Sequence, residues 1–217
     1  MKLFTYQPPK IPWLDIRYQD RDIVILNKPS GLLSNPGRAE NTYDCAINRL
    51  LAHAPDAILV HRLDCATSGI MVFALNKKAE SNIKTQFQNR MTEKFYIAEV
   101  MGQVGQDEGI IELAMMADKD NPPLQKIDAD GKPAKTYFEV IERRATTSLV
   151  KLKPITGRTH QLRLHMKALG HTIIGDDFYG DEATIAASPR LNLHAQSLSF
   201  THPYNQQRLT FTSQHPF

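Results

Sequence analysis

The chain has 217 residues, 41% of them hydrophobic, which is enough for one substantial core, short for two, and no sign of disorder. Its 26 lysines and arginines against 23 acids leave a net charge of +3 and a pI near 8.8, a mild basicity that permits nucleic-acid binding through a local patch without demanding it. Two cysteines without Cys-x-x-Cys spacing argue against a disulfide framework or zinc finger, and the lack of an apolar leader or of a run near the roughly 20 residues that span a membrane predicts a cytoplasmic protein.

Residues 1–20 form an N-terminal extension that leads into the core through Pro8-Pro9-Lys10-Ile11-Pro12-Trp13. Residues 22–27 read as a buried strand, 28–38 as a loop and 43–54 as a helix. The run Gly69-Ile70-Met71-Val72-Phe73-Ala74-Leu75 is too short for a helix and rich in strand formers, which predicts a central strand buried on both faces. Asn76 is placed to cap a helix over 76–90, with Ala79, Ile83 and Phe87 on its inner face and Lys77, Lys78, Lys84 and Arg90 in solvent. Strands are expected over 94–101, 110–113, 135–143, 148–153, 195–200 and 209–212, and a loop over 118–133. From Thr159, Leu162, Met166 and Leu169 recur at helical spacing until Gly170 stops the helix. Strands outnumber helices and rarely alternate with them, so the expected fold class is α+β: a mixed, mainly antiparallel sheet with flanking helices in one domain over 1–217.

The stretch His61-Arg62-Leu63-Asp64-Cys65-Ala66-Thr67-Ser68-Gly69 sets a carboxylate beside a guanidinium at the edge of the central strand. Folding does not require an acid there, and a bare buried carboxylate costs several kcal/mol, so Asp64 calls for a partner. The candidate lies in Pro154-Ile155-Thr156-Gly157-Arg158-Thr159-His160-Gln161-Leu162-Arg163-Leu164-His165. One side of that helix carries His160, Arg163 and Lys167 at spacings of three and four, and cations near a helix N-terminus are disfavoured unless an anion is bound. An anionic ligand or a carboxylate is implied. Taken one at a time, Asp64 could be a turn residue, Arg62 and Arg163 surface cations, and Tyr96 a packing residue with a wet hydroxyl. His61 and His160 are best read on their own as hydrogen-bonded supports of their turns.

Taken together, His-Arg-Leu-Asp-x-x-Thr-Ser-Gly at 61–69 and Gly-Arg-Thr-His-Gln-Leu-Arg-Leu-His at 157–165 resemble the signature pair of the RluA-type pseudouridine synthase family. Asn27-Lys28-Pro29-Ser30-Gly31-Leu32-Leu33, Lys94-Phe95-Tyr96-Ile97-Ala98 and Gly175-Asp176-Asp177-Phe178-Tyr179-Gly180 extend the resemblance, in order, nearly end to end. It implies the pseudouridine synthase catalytic fold without an S4 domain, and within the family it is nearest the founding member, which modifies a 23S rRNA hairpin loop and the anticodon loop of certain tRNAs. It further implies that Asp64 is the catalytic carboxylate, that Tyr96 stacks on the target base and handles its C5 proton, and that Arg163 partners Asp64. Arg62 would enter the RNA stack where the uridine has left it, and His61, Thr67, Arg158, His160 and Leu162 would contact the substrate. An arginine beside a carboxylate favours its ionised form and orients it by paired hydrogen bonds, suiting Asp64 to act as a nucleophile. Addition to uracil C6, attack at C1′ and a glycal route are all open to it. The reaction needs no redox chemistry, so no cofactor and no metal are expected. The implied partner is RNA, met by a monomer with no obligate protein partner. Its target nucleotide must be unstacked at a cost of a few kcal/mol, least for a loop nucleotide. The loops at 28–38 and 118–133 are candidate RNA contacts.

Other readings are the same chemistry at a single rRNA or tRNA site, a non-catalytic RNA-binding module, and a metal-dependent hydrolase built on His61, Asp64, His160 and His165. The last is disfavoured by spacing, since His160 and His165 are five apart and no His-Glu-x-x-His occurs. A glycosidase would want two converging carboxylates, and only one acid lies in a motif of this kind.

Overall fold

A computed structural model of the protein describes residues 6–37 and 39–217. The first five residues of the N-terminal extension and Arg38, the last residue of the loop expected over 28–38, lie outside the described residues. In chain order the elements are β1 (Ile16–Gln19), β2 (Ile23–Lys28), a 3-10 turn (Glu40–Thr42), α1 (Ala46–His53), β3 (Ile58–Leu59), β4 (Ser68–Ala74), α2 (Lys77–Gln88), β5 (Glu93–Met101) and β6 (Glu108–Glu112). They continue with β7 (Met115–Ala117), β8 (Gln125–Ile127), β9 (Lys135–Arg143), β10 (Thr147–Pro154), α3 (Gln161–Ala168), α4 (Glu182–Ala186), β11 (Leu193–Thr201) and β12 (Arg208–Thr212). The mainly antiparallel α+β class expected from the sequence is the class observed. Two compact units divide the chain: Met1–Glu93 with Ala195–Gln214, and Lys94–His194 with His215–Phe217.

In the first unit the strands run β1-β2-β4-β11, with β3 on β4 and β12 on β11. β4 is buried at all seven positions, as its unbroken apolar run predicts. Its register against β2, with Ile23 opposite Ala74 and Ile25 opposite Val72, puts one face of both strands into a cluster with Ile70, Leu198 and Phe200. α2 closes that cluster with Ala79 and Ile83, flanked by Phe87; a fully buried side chain the size of Ile83 contributes about 1.5–3 kcal/mol. Asn76 caps α2 as expected, accepting from the Ala79 N–H at 2.9 Å. Gly69, at φ +118, is obligatory because a Cβ there would strike the backbone of Ala195 on β11.

α1 is shorter than the predicted 43–54 and begins after Cys45, which offers no capping oxygen. The acid that could have capped it, Asp44, instead holds the Arg49 guanidinium at 2.6 and 2.9 Å. Arg49 is 2% exposed. It also donates to the carbonyls of Trp13 and Pro9 and lies over the Trp13 indole at 4.1 Å, fastening the described part of the N-terminal extension to α1.

In the second unit β5-β10-β9-β6 form an antiparallel sheet. β7 and β8 make a separate ribbon, β7 just before the loop expected over 118–133 and β8 within it; three-residue strands carry too little alternation to register as a pattern. Met115, Ala134, Leu164 and Tyr179 form a satellite core. α3 starts at Gln161, later than expected, because His160 adopts the left-handed conformation (φ 56, ψ 17) and ends the preceding turn. It stops as predicted: Gly170 at φ +90 places its own N–H on Lys167 O and that of His171 on Met166 O, both at 2.9 Å, a Schellman closure. Of the basic side of α3, His160 and Arg163 are buried and Lys167 is exposed. All residues from Gln161 to Met166 are buried, because Arg163 and His165 find polar partners inside the fold.

Candidate active site

In the first unit, Asp64 is half-buried on the loop between β3 and β4, next to the exposed Arg62. The loop owes its shape to the stretch at 28–34. The ammonium of Lys28, 1% exposed, donates to the carbonyls of Pro29 (3.0 Å), Leu32 (2.6 Å) and Cys65 (3.0 Å). The Gly31 N–H adds a second bond to Cys65 O at 2.9 Å, and Ser30 Oγ donates to Ala66 O at 2.6 Å. Ser34 Oγ donates to Leu63 O at 2.7 Å and accepts from the Leu63 N–H at 3.0 Å. Backbone groups on both sides of Asp64 are thereby satisfied from one neighbouring segment, so its carboxylate is presented by a stiff frame. Thr67 is buried, its N–H bonded to Asp64 O at 3.2 Å. His61 Nε2 accepts from the Val72 N–H at 3.1 Å and its ring stacks on Phe87 at 4.6 Å. His61 thus supports its turn, as read from the residue itself.

In the second unit, Tyr96 lies on β5 opposite Leu152, and Lys94, two residues before it, is on the same face of the strand. Burial pushes the Lys94 ammonium below its usual range. Arg163 is 2% exposed and is gripped by Asp176, Nε to Oδ2 at 2.9 Å and Nη2 to Oδ1 at 2.6 Å, with Asp177 accepting at 3.1 Å. Phe178 and Tyr179 place rings 4.7 and 5.4 Å from the guanidinium carbon. Asp176 is itself fully buried and also accepts from the N–H groups of Phe178 and Tyr179, both at 3.0 Å. Within its own unit, Arg163 therefore has Asp176 and Asp177 as anionic partners.

The remaining residues of the second signature have distinct surroundings. Gln161 Oε1 accepts from the Arg158 N–H (3.0 Å) and Thr156 Oγ1 (2.7 Å), leaving the Arg158 side chain exposed at the loop tip. Leu162 is buried. His160 Nδ1 pairs with the Tyr179 hydroxyl at 2.9 Å, the support role read from the sequence. His165 Nδ1 meets Thr136 Oγ1 at 2.9 Å and Nε2 meets Leu113 O at 3.3 Å, and burial pushes its pKa down.

These hydrogen bonds also weigh against the metal-ligand set, because His165 uses both ring nitrogens, and His61 and His160 each use one, on protein groups. Among the described residues Asp20, Asp22 and His202 lie close enough together to hold an ion. Asp20, however, already accepts from Tyr18, His202 and the N–H groups of Asp22 and Ile23. What residue-by-residue reading missed was the supporting layer: Lys28, Ser30, Ser34, Asp176, Tyr179 and Gln161. Most lie in stretches recognisable as motifs, but polarity in a loop does not by itself disclose a buried partner.

Compared with solved structures, the chain is similar to human RNA Pseudouridylate Synthase Domain Containing 1, with a TM-score of 0.82 and 29% identity over 97% of this chain and 87% of that one. The fold is that of an RNA-modifying isomerase. The chain belongs to the RNA pseudouridylate synthase family, whose pattern matches residues 22–168. It is 50% identical to the dual-specificity RNA pseudouridine synthase RluA of Escherichia coli K12 over 97% of both chains. It is 52% identical to the enzyme of that name from Vibrio parahaemolyticus over 94% of this chain and 84% of the relative. Its chemistry is an intramolecular isomerisation of uridine in RNA.

Proposed function

We propose that this enzyme acts on two RNA contexts, a 23S rRNA hairpin loop and a tRNA anticodon stem-loop. Asp64 is its catalytic carboxylate, Tyr96 the aromatic that stacks on the target base, and Arg163 the cation that the signature assigns to Asp64. The carrying observation is the 50% identity, over 97% of both chains, to an enzyme named for dual specificity. The geometry supports it by placing Asp64 on a loop whose backbone is tied down on either side, the preorganisation a reacting group requires.

In this reading the N1–C1′ bond breaks, the uracil turns, and a C5–C1′ bond forms; the C5 proton leaves to a base and N1 gains one, so atoms balance without a cofactor. Asp64 supplies the negative charge, whether toward C6, toward C1′ or in forming a glycal. The exposed Arg62 and Arg158 engage the displaced stack and the backbone, with His61, Thr67, His160 and Leu162 shaping the walls. One family match that runs from the first unit into the second, over 22–168, supports reading the two as one catalytic domain. Among the described residues no helix is long and apolar enough to cross a membrane. Two free cysteines suit a reducing cytoplasm, where in this reading the enzyme works as a monomer.

Tritium release from RNA labelled at uracil C5 tests the proposal, using an rRNA hairpin, a tRNA anticodon stem-loop and an unrelated hairpin. Release from the first two and not the third supports dual specificity. Release from only one reduces it to a single-site enzyme, and tight binding with no release from any would favour a silent RNA-binding module.

A further inference from the structure

Ser34 contributes one oxygen that both donates to and accepts from the peptide groups of a single residue, Leu63, at 2.7 and 3.0 Å. It is 3% exposed and Leu63 is 6% exposed, so neither peptide group has water to fall back on. The residue that follows Leu63 is Asp64. On the other side, Ser30 Oγ holds Ala66 O at 2.6 Å, and the Ser34 hydroxyl also lies 3.7 Å from Met71 Sδ on the central strand β4. The direction of the Asp64 side chain follows from the backbone dihedrals of residues 63–65, and the N-terminal half of that backbone is fixed by one hydroxyl.

We propose that Ser34 is a positioning residue for the reaction: it sets the angle at which the Asp64 carboxylate is presented, and Ser30 is its weaker counterpart on the far side of the loop. The inference rests on Asp64 being the catalytic carboxylate. Ser34 touches no substrate. Removing its hydroxyl leaves a donor and an acceptor of the peptide chain buried without a partner, and the loop relieves this by rotating toward water and carrying Asp64 with it. A displacement on the order of 1 Å can lower turnover about a hundredfold.

The test measures single-turnover rate and RNA dissociation constant for Ser34→Ala, Ser34→Thr, Ser30→Ala and Asp64→Asn, each checked for folded fraction by its urea transition. The expected result is a fall of ten- to a hundredfold in the rate constant of folded Ser34→Ala with RNA affinity within about twofold. Ser34→Thr, which keeps the hydroxyl, should recover most of the loss, and Ser30→Ala should lose less. A folded Ser34→Ala with the wild-type rate overturns the proposal, as does a loss confined to the folded fraction or to RNA affinity. If Ser34→Ala does not fold, Ser34→Thr against Ser34→Cys decides it: equal rates for the two folded variants overturn the proposal, because thiol and hydroxyl then serve alike. Full activity in Asp64→Asn would instead overturn the underlying assignment of the carboxylate, whatever Ser34 does.

Discussion

Arg163 shows how a residue's surroundings change what its removal should do. The family resemblance assigns it to Asp64, and within its own unit it also holds Asp176, a carboxylate that is fully buried and bound through both oxygens. Arg163→Met should therefore lower unfolding free energy by roughly 3–5 kcal/mol, the cost of leaving one buried charge unpaired. Arg163→Met combined with Asp176→Asn should recover a substantial part of this in urea titrations, and a double variant no more stable than the single would mean that the pair is not the source. Asp64→Asn is the opposite kind of change. Asp64 is half-buried and its loop is held through backbone groups, so the variant should keep the wild-type urea midpoint and RNA affinity while tritium release falls by at least about a thousandfold, as for loss of a covalent or charge-stabilising group. Retained turnover would remove Asp64 from the chemistry.

At the scale of elements, α3 is the most demanding segment, because it buries an arginine and a histidine within its first two turns. His165 is packed against Thr136 and Leu113, and burial lowers its pKa from the ordinary 6.5. In the folded protein it therefore remains neutral at pH values where the unfolded chain already takes up a proton. The unfolded state binds more protons below pH 6.5, so stability falls as pH drops through that value, by up to about 1.4 kcal/mol per pH unit until the folded-state pKa is reached. His165→Gln should flatten the urea midpoint between pH 6.5 and 5. An unchanged slope would show that His165 titrates alike in both states. α2 is more ordinary, and its Asn76 cap should be worth about 1 kcal/mol against alanine, measured in the same way.

For the whole molecule, the net charge of +3 is small, and in the proposed function RNA affinity draws on local cations such as Arg62 and Arg158. Charge-removing substitutions at these two exposed positions should each lower the salt slope of RNA binding by roughly one ion. EDTA should leave turnover unchanged. Activity lost on chelation and restored by zinc would revive the metal-dependent reading, against the hydrogen bonds that already occupy nitrogens of His61, His160 and His165.

The fold class, the long strands, the α2 cap and the Gly170 stop were all readable from the chain because each depends on periodicity or on one residue's backbone preference, which are local properties. The two signature stretches at 61–69 and 157–165 were readable as well, because a family match rests on the residue types and their spacing along the chain. Tertiary structure alone decided that Asp44 serves Arg49 rather than capping α1, that β7 and β8 pair as a ribbon, that Arg163 and His165 of α3 are buried, and that Asp176 holds Arg163. It also decided that Lys28, Ser30 and Ser34 fix the loop bearing Asp64. Each of these is a hydrogen bond or ion pair between segments, and a polar residue in a sequence carries no mark of which distant group it will desolvate and bind; only folding brings the partners to within 3 Å of one another.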